Sequence, residues 1–254
     1  MRLRTLLLSS LGAMLLSGCI VSAPQGPLST EEGRRAAVNA YVALGLGYLQ
    51  QGQSAQAKIP LQKALSLDNH DADANAALAL VFQSEQENTL AEQYFKRALA
   101  EKNSARIQNN YGSFLYAQGR YTEAHAHFEQ AAADALYAGR AGAYTNVGLT
   151  ALKLNQPALA QASFSKAIAL DPQQAETLLK AAEVAFNAGQ FEAARGYYLQ
   201  LNALKGVSDA RSLLLGYRLA QQFNEPNVAV EKAALLQRLY PSSPEYRQYL
   251  SEQQ

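Results

Sequence analysis

Small residues recur along this chain at a nearly fixed interval, and that interval limits the fold more than any other feature. They fall at Gly45, Ala79, Gly112, Gly148, Ala182 and Gly216, at spacings of 34, 33, 36, 34 and 34 residues. A second series, Ala57, Ala91, Ala124, Ala160, Ala194 and Val228, repeats the same spacings twelve positions later. A period of this length means stacked copies of one supersecondary unit, not a single closed core. Inside each period the apolar residues recur at helical intervals. The first copy has Tyr41, Leu44, Gly45 and Tyr48, then Ala57, Leu61 and Ala64; the second has Leu78, Ala79 and Phe82, then Ala91, Phe95 and Ala98. Ala124-Phe128-Ala131, Ala160-Phe164-Ala167 and Ala194-Tyr198-Leu201 continue the series. A small residue on one helix lets a second helix approach, and a large residue fills the space beside it.

This pattern resembles the tetratricopeptide-repeat signature, which implies an all-α fold of six helix pairs stacked into a right-handed superhelix. Gly52, Gly119, Asn155 and Gly189 stand where the first helix of a pair must stop, as residues that tolerate a left-handed cap. Pro157 and Pro226 stand at the first turn of second helices, where the missing N–H costs little. Pro60 is the misfit: it lies inside a second helix and is expected to kink it. In the sixth repeat Lys232 occupies the place of a large apolar residue, as suits a terminal repeat facing water. The reading divides the chain into a signal peptide (1–18), a lipidated tether and lead-in (19–37), and six repeats over 38–240. Those repeats run at about 38–71, 72–104, 105–138, 141–174, 175–208 and 209–240, and a C-terminal tail (241–254) follows.

First helices line the concave side of such a stack. In the tetratricopeptide frame repeat one presents Asn39, Val42, Leu46, Leu49 and Gln50 there. Repeat four presents Thr145, Leu149, Leu152 and Lys153, and repeat five Leu179, Glu183, Phe186 and Asn187. Apolar residues on a surface that ought to be wet point to a peptide-binding groove. The candidate groove is therefore Val42, Leu46, Leu49, Gln50, Leu149, Leu152, Leu179 and Phe186. Leu44 and Tyr48, on the other side of the first helix, are expected to pack repeat on repeat.

The only cysteine, Cys19, makes neither a disulfide nor a paired metal site within the chain. Arg2 and Arg4 precede an apolar run from Thr5 to Leu16, and Leu16-Ser17-Gly18-Cys19 resembles a bacterial lipobox. The run is shorter than the roughly 20 residues that span a bilayer. Cleavage before Cys19 and its acylation would anchor the chain, since several acyl chains together hold a protein on a membrane. Ile20 is not the Asp that marks inner-membrane retention in enterobacterial lipoproteins, so the resemblance implies the outer membrane. Residues 21–30, with Pro24, Gly26 and Pro27, suit a tether. Without Arg2 and Arg4 the chain carries 20 basic against 21 acidic residues, which leaves no basic stripe for nucleic acid.

No catalytic or cofactor motif emerges, and no enzyme, cofactor, metal or small-molecule substrate is expected. His125 and His127 are two apart on a helix and point away from each other. His70 lies in the Asp68-Asn69-His70-Asp71 turn, and Gly45-Leu46-Gly47 lacks the preceding strand that a phosphate-binding turn needs. The strings AYVALGLGYLQQGQSAQAKIPLQKAL, NNYGSFLYAQGRYTEA, ARSLLLGYRLAQQF and RLYPSSPEY resemble the type IV pilus biogenesis lipoprotein family called PilF or PilW, from Cys19 to the C-terminal stretch. That resemblance implies a pilotin: an outer-membrane lipoprotein that binds subunits of the pilus secretin, PilQ, and promotes their localisation and multimerisation. A scaffold for another cell-envelope assembly machine is the alternative.

Overall fold

The computed structural model describes residues 26–204 and 209–253. The expected signal peptide, Cys19 and the tether as far as residue 25 lie outside them. Thirteen α-helices follow a short 3-10 turn at Pro27–Ser29 among the described residues. Twelve of them form six antiparallel pairs: α1 (Glu31–Gln50) with α2 (Ser54–Leu67), α3 (Ala72–Ser84) with α4 (Asn88–Glu101), and α5 (Ala105–Ala117) with α6 (Tyr121–Ala133). The series goes on with α7 (Arg140–Lys153) and α8 (Pro157–Leu170), α9 (Ala175–Asn187) and α10 (Phe191–Ala203), then α11 (Ala210–Gln222) and α12 (Pro226–Leu239). A final helix, α13 (Pro244–Ser251), stands in the C-terminal tail. The all-α tetratricopeptide stack is the fold of this chain.

The turn inside every pair is built the same way. Gly52, Gln86, Gly119, Asn155, Gly189 and Asn224 each take a positive φ, between 55° and 74°. The next N–H in each case returns to the last turn of the first helix. Gln53 donates to the Tyr48 carbonyl at 2.9 Å, Arg120 to Leu115 at 3.0 Å and Glu225 to Ala220 at 2.8 Å. This six-to-one bond satisfies a carbonyl that the helix end leaves orphaned. Four of the six first helices begin on side-chain caps: Thr30 accepts from the Gly33 N–H, Asp71 from Ala74, Ser104 from Ile107 and Asp209 from Ser212.

Close helix approach comes from the small residues. A Cβ on Gly45 would lie 2.5 Å from Leu61 Cγ, and one on Gly148 would lie 2.5 Å from Phe164 Cε1. Leu61 and Phe164 are fully buried beside those positions. Each such side chain contributes about 1.5–3 kcal/mol of burial. Pro60 is also buried, and α2 runs unbroken through it from Ser54 to Leu67.

Repeat six departs from the expected register. Its turn is the usual three residues, but the whole repeat lies one residue later than the series places it. Tyr217 and not Gly216 therefore takes the small-residue position, and Ala229 and Leu236 are buried while Val228 is exposed. The position aligned with Phe164 is Ala233, not Lys232. Gly216 stands instead at the repeat-packing position aligned with Ala181, and a Cβ there would meet Tyr198 of the preceding repeat. Then α13 lies on α11 as one more first helix: Arg218 pairs with Glu252, and the Tyr217 and Tyr249 rings meet edge to face with centroids 4.9 Å apart. The C-terminal end of the stack is thereby covered on its first-helix side.

Candidate functional site

The concave groove is only partly what its sequence frame suggests. Val42 is 8% exposed and Leu179 2%, both inside hydrophobic clusters. They are core residues, not groove surface. The reason is visible in the other repeats. The residue three before the small position lies against the next first helix, and Ala76 and Leu214 are buried there too. Leu46, Leu49, Leu149, Leu152 and Phe186 are half-buried and rest on the same clusters, while Gln50 is exposed. Neighbouring first helices are also joined by polar pairs: Arg106 with Asp73, Asn146 with Asn109 (3.0 Å), Thr145 with Thr177 (2.9 Å) and Arg211 with Glu176. The inner face is largely satisfied by its own contacts.

A different face stands open. Leu44, just before the small residue of repeat one, is 49% exposed. Its counterparts Leu78, Tyr111, Val147 and Ala181 are 2, 4, 3 and 1% exposed and Gly216 is buried, because the preceding repeat covers them. Among the described residues no helix pair precedes repeat one. Leu44 and Tyr48 do occupy repeat-packing positions, yet among the described residues no helix pair packs on them. With Tyr41 from α1 and Gln56, Ile59, Pro60 and Lys63 from α2 they line a mostly apolar cleft of about 610 Å³. Ile59, at its rim, is 70% exposed. An apolar patch of this kind on a folded domain marks a contact surface. Pro60 adds a polar feature: it has no N–H, so the Gln56 main-chain carbonyl lacks its helical donor. That carbonyl can accept a hydrogen bond from outside. The sequence carried the necessary signal, since no helix-pair pattern precedes residue 38.

A second cleft, of about 520 Å³, lies between α4 and the α5–α6 turn, with Glu92, Lys96 and Arg120 among its walls. It is closed by its own ion pairs: Arg120 holds Glu92 at 2.8 Å and Glu123 at 2.6 Å, and Lys96 holds Glu92 at 2.8 Å. The hydrogen bonds from Arg120 and then Lys96 bring the Glu92 carboxyl down to about 2. Burial, with Glu92 beside it, pushes the Tyr111 phenol up to about 12. These groups clasp repeat two to repeat three. Among the described residues no cluster of three His, Cys, Asp or Glu side chains could hold a metal ion. His127 is spent on Gln108, and His125 faces Glu129 at 3.4 Å. No described helix is long and apolar enough to cross a membrane.

Comparison with known proteins agrees with this architecture. Tetratricopeptide-repeat sequence models match residues 38–71 and 147–205. The type IV pilus assembly protein PilF of Pseudomonas aeruginosa is 45% identical over 241 residues, covering 94% of this chain and 95% of that protein. A solved structure of Pseudomonas aeruginosa PilF superposes with a TM-score of 0.82 at 44% identity, covering 87% of this chain and 99% of that one. The crystal structure of PilW, described as a widely conserved type IV pilus biogenesis factor, gives 0.71 at 31% identity, covering 84% and 98%. With a helix-pair stack that matches theirs nearly end to end, this chain belongs to the PilF/PilW family of tetratricopeptide-repeat proteins of type IV pilus biogenesis.

Proposed function

We propose that the protein is a pilotin: a lipoprotein, anchored through Cys19 in the outer membrane and facing the periplasm, that captures subunits of the pilus secretin. It acts by binding and not by catalysis. The observation that carries this reading is the open apolar face of repeat one. It is the packing surface that five other repeats bury, and its exposure calls for a protein partner. Repeat one is also the repeat nearest the lipid. The eleven residues between Cys19 and Glu31 reach at most about 40 Å when extended, so a subunit held there stays beside the membrane.

Co-purification from detergent-extracted membranes tests this. The secretin is expected with the native protein and with Leu46→Glu, and lost with Leu44→Glu. If Leu44→Glu retains the secretin, the open face is not its site. If the native protein brings down no secretin, the pilotin reading fails.

A further inference from the structure

The covered copies of the repeat face describe what fits the uncovered one. In each, the second helix of the preceding repeat supplies one residue pattern. Helix α2 offers Ala57, Leu61 and Ala64; α4 offers Ala91, Phe95 and Ala98; α8 offers Ala160, Phe164 and Ala167; α10 offers Ala194, Tyr198 and Leu201. The spacing is i, i+4, i+7, one stripe of a helix. The residue at i+1 reaches across to the turn of the next repeat in all four, whereas in α6, with the same stripe at Ala124, Phe128 and Ala131, His125 faces Glu129 of its own helix. Lys58 pairs with Glu85 at 2.6 Å and lies 5.2 Å from the Phe82 ring centroid. Glu92 meets Arg120 at 2.8 Å, and Gln161 meets Gln190. Arg195 pairs with Glu225 at 2.6 Å and lies 4.5 Å from the Phe223 ring centroid.

Repeat one carries the receiving half of this arrangement. Tyr48 stands where Phe82 stands in repeat two, and Gln53 stands where Arg120, Gln190 and Glu225 stand. Gln51 holds the place of Glu85. An aromatic ring beside amide oxygens receives a cation well, through the ring face and through hydrogen bonds.

We propose that this face takes an amphipathic α-helix of the secretin subunit, lying where the second helix of a preceding repeat would lie. The helix carries a small residue at i, bulky apolar ones at i+4 and i+7, and Lys or Arg at i+1 directed to Tyr48 and the Gln51–Gln53 turn. A helix spends its main-chain donors internally, so any donor to the Gln56 carbonyl is a side chain. The inference rests on the secretin reading above and adds the form of the bound segment.

The test uses overlapping peptides that tile the secretin of the same organism, titrated onto the mature lipoprotein in detergent. One peptide with the stated pattern is expected to bind, to show helical carbon chemical shifts when bound, and to compete with intact secretin. Proline at its centre weakens binding about a hundredfold, and Leu44→Glu on the lipoprotein blocks it. A bound segment that is extended, a central proline that is tolerated, or a second copy of the lipoprotein found on this face overturns the inference. If intact secretin binds in a Leu44-dependent way but no helical segment does, this inference falls alone. If intact secretin does not bind at all, the pilotin reading falls with it.

Discussion

Two glycines in α1, two positions apart, are expected to respond to alanine in opposite directions. A Cβ on Gly45 would lie 2.5 Å from Leu61 Cγ and 2.6 Å from its Cδ2, whereas one on Gly47 meets nothing within 4 Å. Carbon atoms pack comfortably at about 3.5–4.0 Å, so Gly45→Ala demands a shift on the order of 1 Å. Leu61 is fully buried and cannot swing into solvent. Overpacking of this kind costs about 1–3 kcal/mol, offset by about 1 kcal/mol for exchanging glycine for alanine in a helix. Gly47→Ala keeps only the favourable part. The two variants should therefore differ by roughly 1–3 kcal/mol, or several degrees in midpoint at about 2–4 °C per kcal/mol for a chain of this size. Far-UV circular dichroism during chemical and thermal unfolding measures it. Gly45→Ala at least as stable as Gly47→Ala would refute close helix approach as the reason for the small series.

Three further predictions follow from other parts of the molecule. Gln86, with φ at 63°, is a non-glycine residue in the left-handed region; Gln86→Gly should raise stability by up to about 1 kcal/mol, and an unchanged or lower unfolding midpoint contradicts that. The Glu92 carboxyl, near 2 because of Arg120 and Lys96 and not at its ordinary 4.5, stabilises the fold fully above about pH 4.5, and that contribution is lost as the pH falls toward 2. Arg120→Ala should move the carboxyl up in an NMR titration and flatten the acid dependence of stability across this window; an unmoved titration counts against the clasp. Cys19→Ser should leave an unprocessed or unlipidated form, and an intact mass showing unmodified Cys19 in the native protein removes the anchor.

The stack was legible because its determinants are local. Gly52, Gly119, Asn155 and Gly189 announce turns through the φ they tolerate, and Ala160 with Phe164 announces a helix crossing through size. The same reasoning missed Gln86 and Asn224, which take the same conformation without a glycine to mark it. It also slipped by one in repeat six, where one extra residue between Leu201 and Ala210 moved the buried series to Ala229 and Leu236. Helix α13 escaped notice, although Ser243-Pro244-Glu245 is a reasonable helix start: the Ser243 hydroxyl accepts from the Tyr246 N–H. The site was harder, because exposure is a property of neighbours. Val42 and Leu46 are one turn apart on the same helix, yet the adjacent first helix buries one and only half-covers the other. Leu44 fits a packing position in every respect except that no helix pair precedes repeat one among the described residues.

The most direct test of the central claim is the amount of secretin multimer in the outer-membrane fraction of cells carrying Leu44→Glu in place of the native lipoprotein. Leu44 is half-exposed, so the charge should leave fold and lipidation intact, whereas against an apolar partner an unpaired carboxylate is costly. The account predicts that multimers fall sharply with Leu44→Glu and persist with Leu46→Glu on the concave side. Native multimer levels with a stable, lipidated Leu44→Glu protein would contradict it.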